Sequence, residues 1–181
     1  MPTHTNMYSM TYEIPGDAQV EVNGNKVTVS GKGKTNIREF KAKHVEIKKD
    51  GKTITVLTQS VRRADRADVG TVMGHIKNMV IGIEKGYVYK MKAVYAHFPM
   101  TVKVTGEKLT VDNFLGEKKP REMKVKKGVE ILIQGQEITL KGVNKEDVGL
   151  CAAQIEQLCR VNRYDRRIFQ DGIYIIEKDS K

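Results

Sequence analysis

The sequence predicts an α+β protein built as two tandem copies of a small antiparallel sheet with a helix packed on one face. Three observations predict it. Blocks of sequence recur in the same order roughly 80 residues apart, a self-similarity that signals repeated structural units. Short segments alternate apolar and polar residues around glycine turns, and two later segments carry an apolar stripe at helical spacing.

The first block is Val20-Glu-Val-Asn-Gly-Asn-Lys-Val-Thr-Val29, which returns 82 residues on as Val102-Lys-Val-Thr-Gly-Glu-Lys-Leu-Thr-Val111. Val20 and Val22, then Val27 and Val29, alternate with polar residues about Asn23-Gly24-Asn25, which is a hairpin signal. Asn36 to Lys41 alternates in the same way and reads as a further strand. The second block, Lys43-His-Val-Glu-Ile47 with Gly51 and Ile54-Thr-Val56, returns as Lys127-Gly-Val-Glu-Ile131 with Gly135 and Ile138-Thr-Leu140. His44–Lys48 and Thr53–Leu57 therefore form a second hairpin. A third block, Asp68-Val-Gly70 with Ile76, returns as Asp147-Val-Gly149 with Ile155.

Helices follow the second hairpins. Val69, Val72, Met73, Ile76, Met79 and Val80 lie on one helical face, and Val148, Cys151, Ala152, Ile155, Leu158 and Cys159 repeat that spacing. Asn144, with Asp147 three residues on, resembles a capping box. Asp65 and Asp68 stand at the predicted start of the first helix, where carboxylates offset its dipole. Tyr87-Val-Tyr-Lys-Met-Lys-Ala-Val-Tyr95 alternates and reads as the last strand of copy one running into the first of copy two. Ile173-Tyr-Ile-Ile176 is then the matching final strand. The expected domains are 1–82 and 83–181.

The chain has 32 Lys+Arg against 22 Asp+Glu, a net +10 over 181 residues, which favours a polyanionic partner. Glycine and charge break every apolar run before the roughly 18 residues needed to cross a bilayer, so no membrane association is expected. Met1–Tyr12 lacks the basic-then-apolar layout of a signal peptide. Cys151 and Cys159 fall in the apolar stripe and read as small core residues in a reducing compartment. His4, His44, His75 and His97 are scattered, without metal-ligand spacing, and no cofactor is expected.

Catalytic constellations fail on inspection. Gly33-Lys34-Thr35 matches the end of a phosphate-binding loop, but the glycine required five residues earlier is Thr28, and the following residues alternate like a strand. Asp147 is the repeat partner of Asp68, so a structural role accounts for both. The protein is not expected to be an enzyme.

The basic segments remain. Lys118, Lys119, Arg121, Lys124, Lys126 and Lys127 fall within ten residues against the single acid Glu122. Arg160, Arg163, Arg166 and Arg167 follow the second helix, interleaved with Asn162, Tyr164, Phe169 and Gln170. Arginine with amide and aromatic groups can bond phosphate, stack on exposed bases and bond 2′-hydroxyls. Charge divides evenly between 1–82 (13 basic, 8 acidic) and 83–181 (19 basic, 14 acidic), yet only copy two has an arginine-rich segment. Copy two is the expected principal RNA-binding domain.

Tyr95-Ala-His-Phe-Pro-Met100, Asn113-Phe-Leu-Gly-Glu-Lys118 with Pro120-Arg121, and Asp165-Arg-Arg-Ile-Phe-Gln-Asp-Gly-Ile-Tyr174 resemble the signature segments of one family. It is the archaeal and eukaryotic branch of the large-subunit ribosomal protein called L-six in bacteria and L-nine in eukaryotes. The resemblance covers nearly the whole chain; the first dozen residues fit no pattern. It implies a structural constituent of the large subunit in cytoplasmic ribosomes, bound to large-subunit rRNA near the stalk base and the sarcin–ricin loop. Neighbouring large-subunit proteins would be partners, and GTP-hydrolysing translation factors would be affected indirectly. Carried onto this sequence, the resemblance implies rRNA contacts at Lys118, Lys119, Arg121, Arg163, Arg166, Arg167, Phe169 and Gln170, and the basic clusters themselves add Lys124 and Arg160 to the expected contacts. The rival reading is a free RNA-binding regulator or chaperone that associates transiently with many RNAs.

Overall fold

In the computed structural model of the chain, Gly24 adopts φ +60° and its repeat partner Gly106 adopts +61°. Gly51 and Gly135, the second repeated pair, also stand at +60° and +61°. Tight hairpin turns need this left-handed backbone, and glycine reaches it without a Cβ clash. The repeat is thus visible in the backbone as well as in the side chains. The structure describes residues 7–16, 18–96, 98–162, 164–165 and 167–178, and the chain divides into two compact units, Met1–Lys85 and Gly86–Lys181.

The first unit contains β1 (Tyr8–Glu13), β2 (Gln19–Asn23), β3 (Lys26–Gly31), β4 (Lys34–Glu39), β5 (Glu46–Asp50), β6 (Thr53–Thr58) and α1 (Arg63–Glu84). They form two antiparallel sheets, ordered β2-β3-β4 and β1-β6-β5. Helix α1 packs on β1, β3 and β6. All six apolar positions of its expected stripe are buried, together with Val20, Val27 and Val29 of the first hairpin and Ile54 and Val56 of the second.

The second unit contains β7 (Tyr87–Val94), β8 (Thr101–Thr105), β9 (Lys108–Asp112), a 3₁₀ turn (Phe114–Gly116), β10 (Arg121–Lys124), β11 (Val129–Gln134), β12 (Glu137–Gly142), α2 (Lys145–Leu158) and β13 (Gly172–Lys178). Its sheets are ordered β10-β9-β8 and β11-β12-β7-β13. Helix α2 packs on β7, β12, β13 and β10, burying Val148, Cys151, Ala152 and Ile155. Asn144 caps it by accepting from Glu146 N at 3.1 Å, while its amide donates to the Asp147 carboxylate at 2.8 Å. The box closes between side chains, rather than by Asp147 reaching back to the backbone.

The α+β layout in two copies stands, with each copy holding two small sheets around its helix. One reading needs correction. Tyr87–Val94 does not end copy one: β7 pairs only with β12 and β13 among the described residues, inside the second unit. Its counterpart in copy one is β1, since Tyr8 faces Thr58 as Tyr87 faces Gly142. Among the described residues β13 therefore has no counterpart in the first unit. Alternation along a strand reports that the strand has two unlike faces, but says nothing about its partner. A smaller shift concerns Asp68, which lies beyond the first turn of α1, whereas Asp65 lies within it and bonds the Ser60 hydroxyl.

Gly33-Lys34-Thr35 opens β4, not a helix, so the free N–H groups of a phosphate-binding helix start are absent there. Among the described residues no group of histidine, cysteine and carboxylate side chains could hold a metal, and no helix is long and apolar enough to cross a membrane.

Candidate nucleic-acid interface

Asn113 and Leu115 adopt left-handed backbone angles (φ +59° and +50°) around the short 3₁₀ turn. The turn is held by the Asn113 amide on Pro99 O at 3.0 Å and by burial of Phe114, which is 1% exposed. It presents Glu117 toward the start of β10. The Arg121 guanidinium lies over the Phe114 ring, 4.2 Å from its centroid, and grips Glu117 with two bonds of 2.8 and 2.6 Å. The same guanidinium donates Nη1 to Leu158 O at 2.7 Å and to Arg160 O at 3.2 Å.

Two of these acceptors are carbonyls at the end of α2, where a helix has no further N–H groups to satisfy them and where its dipole is negative. A guanidinium offers five donors in a fixed fork and meets both needs. The pairing shifts both partners. Its hydrogen bond from Arg121 holds the Glu117 carboxyl below the ordinary carboxylate value, and the bond to Glu117 raises Arg121 further above its own. Beside them burial pushes the Cys159 thiol up to about 12, and burial also raises Cys151. The cysteines are core residues in an apolar stripe.

Through Arg121 the two basic segments meet. Lys118 and Lys119, exposed just before β10, come to the C-terminal end of α2 beside exposed Arg160. From there the chain runs into a turn in which Ile168 N and Phe169 N donate to Asp165 O at 3.1 and 2.9 Å. The Asp165 carboxylate also accepts from Arg167 N at 2.9 Å. Arg167 and Gln170 are exposed, and Phe169 packs its ring 4.9 Å from that of Tyr164. Buried Asp171 ties the segment's end to the chain just after β7 by accepting from Ala96 N at 3.0 Å. Arg163 and Arg166 lie outside the described residues.

Two expected residues stand apart. Arg121 spends four hydrogen bonds inside the fold, which makes it a positioning residue for this end of the unit. Lys124 sits at the far end of β10, paired with Glu107 at 3.6 Å. Just beyond it, Lys126 pairs with Asp147 at 3.2 Å in the first turn of α2. A helix of 14 residues is about 21 Å long, so the ten-residue lysine run is split between its two ends. Glu156, Gln157 and Tyr174, which charge counting does not single out, border the arginine segment.

Copy one lacks this construction. The position facing Val29 in β4, equivalent to Arg121 facing Val111 in β10, is Asn36. Without the guanidinium clamp, α1 continues through Val80–Glu84, past the point where α2 stops.

Comparison with known proteins agrees with this duplicated layout. A family model described as Ribosomal protein L6 matches residues 14–86 and 98–172, one segment for each copy. The large ribosomal subunit protein uL6 of Methanosphaera stadtmanae is 46% identical over 166 residues, covering 91% of this chain and 90% of that protein. The uL6 proteins of Methanococcus vannielii (46% over 169 residues, 93% of each chain) and Methanosarcina mazei (45% over 168 residues, 93% of this chain and 96% of that protein) are similarly close. On these matches the chain belongs to the ribosomal protein L6 family.

Proposed function

We propose that this chain is a non-catalytic, structural constituent of the large ribosomal subunit that binds large-subunit rRNA through its second unit and supports translation in cytoplasmic ribosomes. The observation that carries the reading is the Arg121 clamp on Leu158 O and Arg160 O, which brings the segment of exposed Lys118 and Lys119 to the end of α2, where exposed Arg160 opens the loop that carries exposed Arg167. Family membership supplies the ribosomal context, since the relatives are themselves named large-subunit proteins.

The helix end would repel phosphate by itself. Arg121 neutralises it and leaves the surrounding cations available to RNA. Lysine and arginine contacts to phosphate fix position and orientation, so the action is docking and not chemistry. The sequence resemblance supports a location near the stalk base and the sarcin–ricin loop. There the chain would hold an RNA platform beside other large-subunit proteins and act on GTP-hydrolysing factors only through that platform. Lys124 belongs to a second, separate contact at the opposite end of α2; for Arg163 and Arg166 the RNA-binding reading rests on the sequence resemblance alone.

Sedimentation tests the reading. In a high-salt sucrose gradient the chain is expected to travel with the large subunit. Recovery in the soluble fractions even at low salt would favour a transient RNA binder and refute a constituent role.

A further inference from the structure

We infer that the second unit carries a receptor for one unpaired nucleobase, in a cavity of about 500 Å³ between the end of α2 and the start of β13. The inference rests on the RNA-binding reading above and names what that surface selects. Three features define the cavity. Its floor is apolar, from Cys159, Val161 and Ile173, all buried. Phe169 and Tyr174 supply aromatic walls; the Tyr174 ring covers Gly172, where an added Cβ would come within 3.0 Å of it. The Tyr174 hydroxyl donates to Gln170 O at 3.1 Å, which fixes that wall to the loop.

The charged and amide side chains among its described lining residues are on exposed positions. Gln157, Gln170 and Arg160 offer the amides and guanidinium that read base edges, with Glu156 as an added acceptor. An apolar slot with aromatic walls and a few directional groups suits a flat, polar-edged ring. Bases inside a duplex keep both faces stacked and cannot enter, so the ligand is a bulged, looped or terminal base. Arg160 at its edge offers a charge for the phosphate of a base attached to its backbone.

The cavity exists because α2 stops. Arg121 satisfies the Leu158 and Arg160 carbonyls, and the chain then leaves the helix axis to form the loop and β13. In copy one, α1 runs on through Val80–Glu84, and among the described residues the first unit has no counterpart of β13.

Binding of the full chain to a short RNA duplex, and to the same duplex with a single-nucleotide bulge of each of the four bases, tests this. At least one bulged RNA is expected to bind about tenfold more tightly than the duplex, the size of one stacked base. Gln157→Ala and Tyr174→Ala, which remove one edge-reading amide and one aromatic wall at exposed positions, are expected to erase that preference while duplex binding persists. Equal affinity for the duplex and all four bulges overturns the receptor and leaves RNA binding standing. A preference that survives both substitutions also overturns it, whereas failure to bind any of these RNAs removes both readings.

Discussion

Arg121 donates Nη1 to the carbonyl oxygen of Leu158 at 2.7 Å, joining the start of one strand to the end of a helix 37 residues further on. The contact unites two basic segments that are distant in sequence, and it stops α2 where its repeat partner continues. Arg121→Ala leaves Glu117 and two helix-end carbonyls without their donor. Hydrogen bonds to charged groups contribute about 1.5–3 kcal/mol, so a loss of roughly 2 kcal/mol is expected from the denaturant midpoint. Arg121→Lys restores charge but not the fork, and is expected to recover less than half of the loss.

Glu117 gives the same clamp a pH dependence. Its folded value lies below the ordinary 4.5, so its contribution is complete above that pH and fades as pH falls through the lower folded value. The side chain is 42% exposed, so solvent screening keeps the effect modest. Wild type is expected to be more stable than Glu117→Gln at pH 7, with the gap closing as the pH falls below 4.5 and through the lower folded value. A gap of constant size across that range would mean that ionised Glu117 does not stabilise the fold.

The thiols report on the core of the second unit. Cys151 is 0% exposed, and burial raises Cys159 to about 12, so neither forms the reactive thiolate near neutral pH. A thiol-specific chromogenic reagent at pH 8 is expected to leave the native chain unlabelled and to label both cysteines in concentrated denaturant. Rapid labelling of Cys159 in the native state would contradict the packing.

Equivalent core positions are expected to behave alike. Ile76 and Ile155 occupy the same place in α1 and α2, and both are 0% exposed. Each Ile→Ala change removes buried methyl groups and leaves a cavity, costing about 2–5 kcal/mol in its own unit. Separate thermal transitions would show which unit each substitution weakens.

Much of this layout was legible in the sequence because the signals are local. The hairpins follow from alternation about Gly24, Gly51, Gly106 and Gly135, and both helices follow from six apolar positions at helical spacing. What escaped was pairing. The alternation of Tyr87–Val94 could not show that its neighbours are β12 and β13, nor that Tyr8–Glu13 is its counterpart. Charge counting likewise treated Lys118–Lys127 as one cluster, although a four-residue strand already carries the chain about 13 Å. Counting cations also missed that Arg121 uses its donors inside the fold, which only the positions of Glu117, Leu158 and Arg160 reveal.

The split lysine run has its own consequence. Lys118→Ala and Lys119→Ala are each expected to lower the salt slope of RNA binding by about 0.9, borrowing the B-DNA value. Lys124→Ala, at the other end of α2, is expected to act independently of them, so that its effect adds to theirs. A strongly non-additive triple substitution would place all three lysines in one contact.

The central claim, that the cations at the end of α2 and in the loop after it hold large-subunit rRNA, is tested most directly by one measurement. It is the salt dependence of rRNA binding by the full chain with Lys118, Lys119, Arg160 and Arg167 all changed to Ala. The account predicts weaker binding and a slope of log K against log salt reduced by roughly 3 to 4. An affinity and slope equal to those of the unaltered chain would show that these residues are only a solvated face.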